Sequence, residues 1–256
     1  MTAGRRTRWW RPAASALPWA GSPSPPAGLS ATSADPAAAR GRRRRVVIAT
    51  GLGGAGLLGV SLSTKPGSAR FYVLTMAVAG TWVAGALGSG PVYLGSTRGR
   101  ESTRHRLVVM PVLTGVGAFG AFYGAARLAR HIPLLDQAIG GILRYADEGS
   151  TALVLLTACT NGVAEELFFR GALWSAVEDS RPVAKTTLAY AATTLATRNP
   201  ALVLSGTVMS VLLGFQRRAS GGILAPALIH VTWSVLMLNY LPALFRTPRR
   251  PQTTRD

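Results

Sequence analysis

The chain has 256 residues, 28 Lys and Arg against 10 Asp and Glu, and 48% hydrophobic residues with only 15% charged ones, well below the quarter or so that soluble domains carry. The charges are segregated, since 71–97, 107–126 and 219–245 contain no Lys, Arg, Asp or Glu; this excludes an ordinary soluble domain and makes those runs candidate membrane spans. A lone Cys159 excludes a disulfide framework and Cys-based zinc or redox motifs.

Residues 1–45 hold nine Arg, one Asp and a Pro/Ala/Ser/Gly stretch without apolar periodicity, which predicts a disordered basic tail. Arg5-Arg6 invites a twin-arginine export reading, but no apolar core follows before Pro12, and Arg42 to Arg45 abut the first long apolar run. A cytosolic N terminus beside a non-cleaved first span is the better reading. Trp9, Trp10 and Trp19 are placed to touch the membrane surface. Nucleic acid is not expected as a partner: a binder concentrates Lys and Arg among aromatics on a folded face, and here the Arg lie in a tail and between apolar runs.

From Val46 onward, seven apolar segments follow, approximately 46–62, 71–95, 107–126, 151–173, 183–197, 200–215 and 222–245. At ~1.5 Å per residue across a core of ~30 Å they predict an all-α, polytopic transmembrane helical bundle of about seven spans. Its parts are N-terminal transmembrane helices and an interfacial segment (46–150), a membrane core (151–245) and a basic C-terminal tail (246–256). The fifth and sixth segments are short and meet at Pro200, so tilted, broken or re-entrant helices are expected there. Gly51 to Gly56 is read as a helix-packing surface, because a phosphate loop needs a preceding strand. The stretch 130–148 reads as an interfacial amphipathic segment, with a solvated loop as the alternative. Arg-rich loops place Arg42 to Arg45, Arg98 to Arg106 and Arg217-Arg218 on the cytosolic side. Seven crossings then put Arg246, Arg249, Arg250 and Arg255 outside, against the same rule.

The fourth segment is unusual. It reads Asn161-Gly162-Val163-Ala164-Glu165-Glu166-Leu167-Phe168-Phe169-Arg170-Gly171, and each mid-span charge costs about 2.5–3.5 kcal/mol on insertion scales. Glu166 and Arg170, four apart in the favourable order, are expected to pair. Glu165 is turned about 100° away and faces elsewhere. Three readings are open: a structural ion pair, with Glu165 bonded to another helix; a proton- or ion-coupled transport site; or a catalytic carboxylate. Depth favours the third. Glu165 lies ~22 Å from Ser150 and His230 ~12 Å from Gly222, so the two are predicted to meet in one inner-leaflet cavity. Ser234 follows His230 by one turn on the same face.

Glu165-Glu166-Leu167-Phe168-Phe169-Arg170 resembles the Glu-Glu-x-x-x-Arg motif of the CAAX-protease and bacteriocin-processing family of intramembrane endopeptidases. His230-x-x-x-Ser234, after Gly221-Gly222-Ile223-Leu224-Ala225-Pro226, resembles its last motif, His-x-x-x-Asn. The resemblance implies a bacterial cell-membrane protein that hydrolyses a peptide bond of a membrane-associated peptide or protein, surrounded by membrane lipid and without a soluble cofactor. By that resemblance, Glu165 is the general base, Glu166 and Arg170 its supports, His230 an oxyanion-stabilising group and Ser234 a weaker donor than Asn. The family's middle motif, Phe-x-x-x-His, is unmatched, since this chain reads Thr193 to Thr197 at that spacing, and His105 and His131 are read as loop residues. A catalytic zinc is not expected, because such sites want about three protein ligands. An inactive relative serving as a membrane scaffold, or a transporter component, is the alternative.

Overall fold

Among the described residues the long apolar runs are helical, apart from 90–95. The computed structural model describes residues 36–95, 101–177 and 181–245, within one compact unit, 34–256. In order come α1 (Pro36–Ser61), α2 (Ala69–Ser89), α3 (Glu101–Ala129), α4 (Pro133–Asp147) and α5 (Thr151–Glu165). The last of these continues through a π-helical segment, Glu166–Leu173, into α6 (Trp174–Val177). Then follow α7 (Pro182–Thr194) with a 3-10 turn (Leu195–Thr197), α8 (Pro200–Ser220) and α9 (Leu224–Phe245). There is no strand among the described residues.

The protein is thus an all-α, polytopic membrane bundle of about seven spans. By length and hydropathy, five stretches suffice outright for a crossing among the described residues: Ala69–Ser89, Leu107–Ala129, Thr151–Val177, Pro200–Ser220 and Leu224–Phe245. The other two rods are α1, whose first third is Arg-rich, and the short α7.

Two boundaries differ from the sequence expectation. α1 begins at Pro36, inside the segment read as a tail, because Ala37 to Ala39 and the following Arg run are strong helix formers that extend the apolar run backwards. The rest of that tail, with Arg5, Arg6 and the three Trp, lies outside the described residues, as do Arg98, Arg100 and the C-terminal tail 246–256. α2 ends at Ser89 and not near 95, since Gly90 takes φ 127° and Pro91 disfavours helix in the residue before it.

Contacts between loops sort the helix ends into two sets. Arg43 Nε donates to the Ser89 carbonyl (3.1 Å), and the Ile223 and Leu224 N–H groups donate to the Tyr93 and Leu94 carbonyls (both 3.1 Å). At the opposite end, Tyr145 Oη donates to the Leu62 and Thr64 carbonyls (2.7 and 2.8 Å), and Asn199 Nδ2 to the Ala138 carbonyl (2.8 Å). Leu241, near the end of α9, packs with Leu143 of α4 and Ala126 of α3. The last helix therefore finishes at the end away from Arg43. The α7–α8 hairpin reaches the Ala138 end instead of turning back midway, so the charge conflict at the C terminus is not relieved by a re-entrant segment.

The segment 130–148 is largely the helix α4, started by Pro133 and set across the loops at the end away from Arg43 by Tyr145 and Ala138. Its Leu143 is buried while Leu134 is 65% exposed. Burial pushes the Tyr145 phenol up. His131 lies in the exposed turn before α4, and His105 falls within α3, not in a loop.

The core that seats the charged residues is aromatic. Trp82 of α2 stacks against Phe168 (4.8 Å between centroids) and Phe169 (5.3 Å), with Val78, Ala86 and Ala164 around them. Of the Gly51 to Gly56 run, Gly54 lies directly under the Trp82 ring, whereas Gly51, Gly53 and Gly56 face open space. Close approach through a missing side chain is how small residues serve membrane packing.

Candidate functional site

Phe168, Phe169, Arg170, Gly171 and Ala172 are consecutive and all buried. Since successive residues point about 100° apart, the rod is enclosed on every side at this level. The winding here is π-helical, an arrangement that appears frequently at functional sites.

The two carboxylates at the start of this segment serve different neighbours. Glu166 is fully buried, and its Oε1 accepts from Arg170 Nη1 (3.1 Å) and faces His230 Nδ1 of α9 (3.0 Å). Glu165 is only partly buried, and its Oε2 accepts from the Tyr190 hydroxyl of α7 at 2.7 Å. The expected Glu166–Arg170 pair and the divergence of Glu165 are both present. The predicted meeting of Glu165 with His230 is changed in one respect: the imidazole bonds Glu166. The depth match found the right level of the bundle, but a depth count carries no information about rotation around the helix.

Arg170, also fully buried, extends the cluster to α8. Its Nη2 donates to the Ser210 carbonyl (2.9 Å) and hydroxyl (2.7 Å), and its guanidinium lies 5.5 Å from the Tyr190 ring centroid, within cation–π range. Arg217, near the end of α8, was read from sequence as a cytosolic flank. It is buried there, donates from Nε to the Arg170 carbonyl (2.8 Å) and covers the Trp174 ring (5.3 Å). Glu166 and Arg170 thus form an oppositely charged pair within the closed interior, where an unpaired charge is costly.

His230 is positioned from its own helix start. Gly221 ends α8 with φ 68°, and Gly222 touches the backbone of Leu94 and Gly95 so closely that no side chain fits. The extended Tyr93-Leu94 backbone then takes the first N–H groups of the following segment. The imidazole lies over Gly162 of α5, where a Cβ would meet it at 3.4 Å. With Glu166 ionised, Nδ1 carries the proton and Nε2 is left for other work. Ser234 is buried one turn along but makes no hydrogen bond to Glu166 or His230 among the described residues.

Thr197, which falls at the spacing of the family's middle histidine, closes the 3-10 turn and bonds the Thr194 carbonyl (2.7 Å). It lies seven residues, or ~10 Å of helix, beyond Tyr190 toward the Asn199 end. The residue of α7 that faces the carboxylates is Tyr190, which sequence reasoning missed. A signal was present: Thr186, Thr187, Tyr190, Thr193 and Thr194 recur at helical spacing, drawing one hydroxyl-bearing stripe along an otherwise apolar helix.

Among the described residues, no three His, Cys, Asp or Glu side chains are grouped to hold a metal ion. Glu166 Oε1 and His230 Nδ1 are engaged with each other, leaving Glu165 and the far side of the imidazole. The cluster can position water, move a proton and place donors near a developing negative charge.

Fold and site define an integral membrane protein with a buried carboxylate, guanidinium and imidazole cluster in its bundle. Residues 147–236 match the family model described as Type II CAAX prenyl endopeptidase Rce1-like, a CAAX-protease model that spans both of the motifs carrying the resemblance. The match runs from the end of α4 to just past Ser234. No curated protein and no solved structure matches the chain significantly.

Proposed function

We propose that the protein hydrolyses a peptide bond of a membrane-associated peptide or protein, with Glu165 as general base. One observation supports this above the others: of two adjacent carboxylates, Glu166 is fully buried and committed to Arg170 and His230, while Glu165 is partly exposed and, among the described residues, held through Oε2 by Tyr190. Its Oε1 is then the group to take a proton from water. The water oxygen bonds to the scissile carbonyl carbon as its proton passes to Glu165. When the C–N bond breaks, the same proton goes to the leaving amine. His230, oriented by Glu166, stabilises the oxyanion from Nε2 when protonated, as a preorganised donor in a dry site does. Ser234 is a second donor from the same helix face. The family match over 147–236 supports this reaction class. A bacterial cytoplasmic membrane with a cytosolic N terminus fits Arg42 to Arg45 at the start of the first span.

The test uses purified protein in liposomes with a quenched fluorescent peptide ending in Cys-aliphatic-aliphatic-X, offered farnesylated and unmodified. Cleavage of either peptide by the wild type, with a loss on the order of 100- to 10,000-fold in Glu165→Gln, is the expected result. Equal cleavage by both proteins overturns the role of Glu165, and no cleavage of either peptide favours the scaffold reading.

A further inference from the structure

We infer that Tyr190 is the positioning residue for Glu165, fixing the carboxylate whose other oxygen receives the proton. This rests on the reading of Glu165 as general base and adds to it a group on α7 that neither motif contains. The geometry is specific. The Tyr190 hydroxyl donates to Glu165 Oε2 at 2.7 Å, a short hydrogen bond to a charged acceptor and so among the stronger ones. The ring that carries the hydroxyl is itself held on three sides. Phe169 meets it edge-on at 4.8 Å, the Arg170 guanidinium lies 5.5 Å from its centroid, and Gly206 of α8 leaves the space it fills, since a Cβ there would stand 2.9 Å from the ring. A tyrosine has two side-chain torsions, and these contacts leave it little freedom. The hydroxyl is therefore presented to Glu165 in advance, and the orientation of the carboxylate does not have to be found anew in each turnover.

The placement also accounts for Thr197. At the level of the two carboxylates α7 offers Tyr190, while Thr197 sits in the 3-10 turn beyond the next two turns of chain. A second hydrogen-bond chain, from Glu166 through Arg170 to Ser210, reaches α8 beside it. Each carboxylate is thus tied to the α7–α8 hairpin by its own route, Glu165 directly through the Tyr190 phenol and Glu166 through the Arg170 guanidinium that bonds Ser210.

The test measures kcat, KM and thermal melting of Tyr190→Phe and of Tyr190→4-aminophenylalanine in the same liposome assay, with Glu165→Gln alongside. The expected result is a fall in kcat of roughly 10- to 100-fold for Tyr190→Phe, the range a hydrogen bond to a charged group commands, with KM and melting unchanged. The 4-aminophenylalanine variant, which keeps a donor at the ring's far end, should recover most of the loss. Wild-type kcat in Tyr190→Phe, or a fall in kcat that tracks a lowered melting temperature and is not recovered by the donor-bearing ring, overturns the inference. If Glu165→Gln loses cleavage while Tyr190→Phe does not, only the role of Tyr190 fails. If Glu165→Gln cleaves like the wild type, the general-base reading fails and this inference with it.

Discussion

Two Glu–Arg pairs of the same spacing stand in opposite settings. Glu166 and Arg170 are fully buried at 3.1 Å, whereas Arg144 and Glu148, at 2.7 Å, have side chains 64% and 40% exposed at the C-terminal end of α4. The shorter distance belongs to the pair that matters less, because water screens it and both side chains lose freedom to make it. In the interior no water replaces a lost partner, so the same spacing becomes a structural commitment. An i,i+4 pair is a local fact of sequence; its consequence is decided by what surrounds the helix.

The comparison breaks most readily at Arg170. Arg170→Ala leaves the Glu166 carboxylate without its guanidinium in a closed interior and should destabilise the fold by about 3 to 5 kcal/mol, read as a lower unfolding midpoint in detergent. A wild-type midpoint would mean that this pair does not stabilise the buried charges. Ser210→Ala sharpens the same point by removing one acceptor of Arg170 while leaving the pair intact, with an expected cost of about 1 to 3 kcal/mol in the same measurement. At the exposed pair, Arg144→Ala should leave both melting and cleavage unchanged, and a loss comparable to that of Ser210→Ala would contradict the contrast between the two settings. Smallest of all is Thr197→His: a histidine placed ~10 Å beyond Tyr190 should neither raise nor lower cleavage, and an increase in rate would show that the 3-10 turn reaches the site.

Much of this contrast was legible beforehand. Segregated apolar runs marked the seven rods, the amphipathic stretch after Arg130 marked α4, and the spacing of Glu166 and Arg170 marked their pair. What escaped the sequence depended on rotation and enclosure, which composition does not encode. Depth predicted that Glu165 and His230 share a level of the bundle but did not say which of the two carboxylates the imidazole bonds, since neighbouring residues differ little in depth but by about 100° in direction. The charge rule assigned Arg217 a side of the membrane but could not show that Trp174 and the Arg170 carbonyl bury it against the site. Tyr190 was passed over because a tyrosine in an apolar helix ordinarily packs, and only the tertiary approach of α7 to the start of the π segment turns its hydroxyl toward a carboxylate.

Under the proposed function, adjacent carboxylates divide the labour, Glu165 for chemistry and Glu166 for assembly. The most direct measurement sets Glu165→Gln and Glu166→Gln side by side, scoring unfolding midpoint and peptide cleavage for each. The predicted result is a Glu165→Gln protein that melts like the wild type and does not cleave, and a Glu166→Gln protein with a clearly lowered midpoint. Equal midpoints for the two variants, or undiminished cleavage by Glu165→Gln, would contradict it.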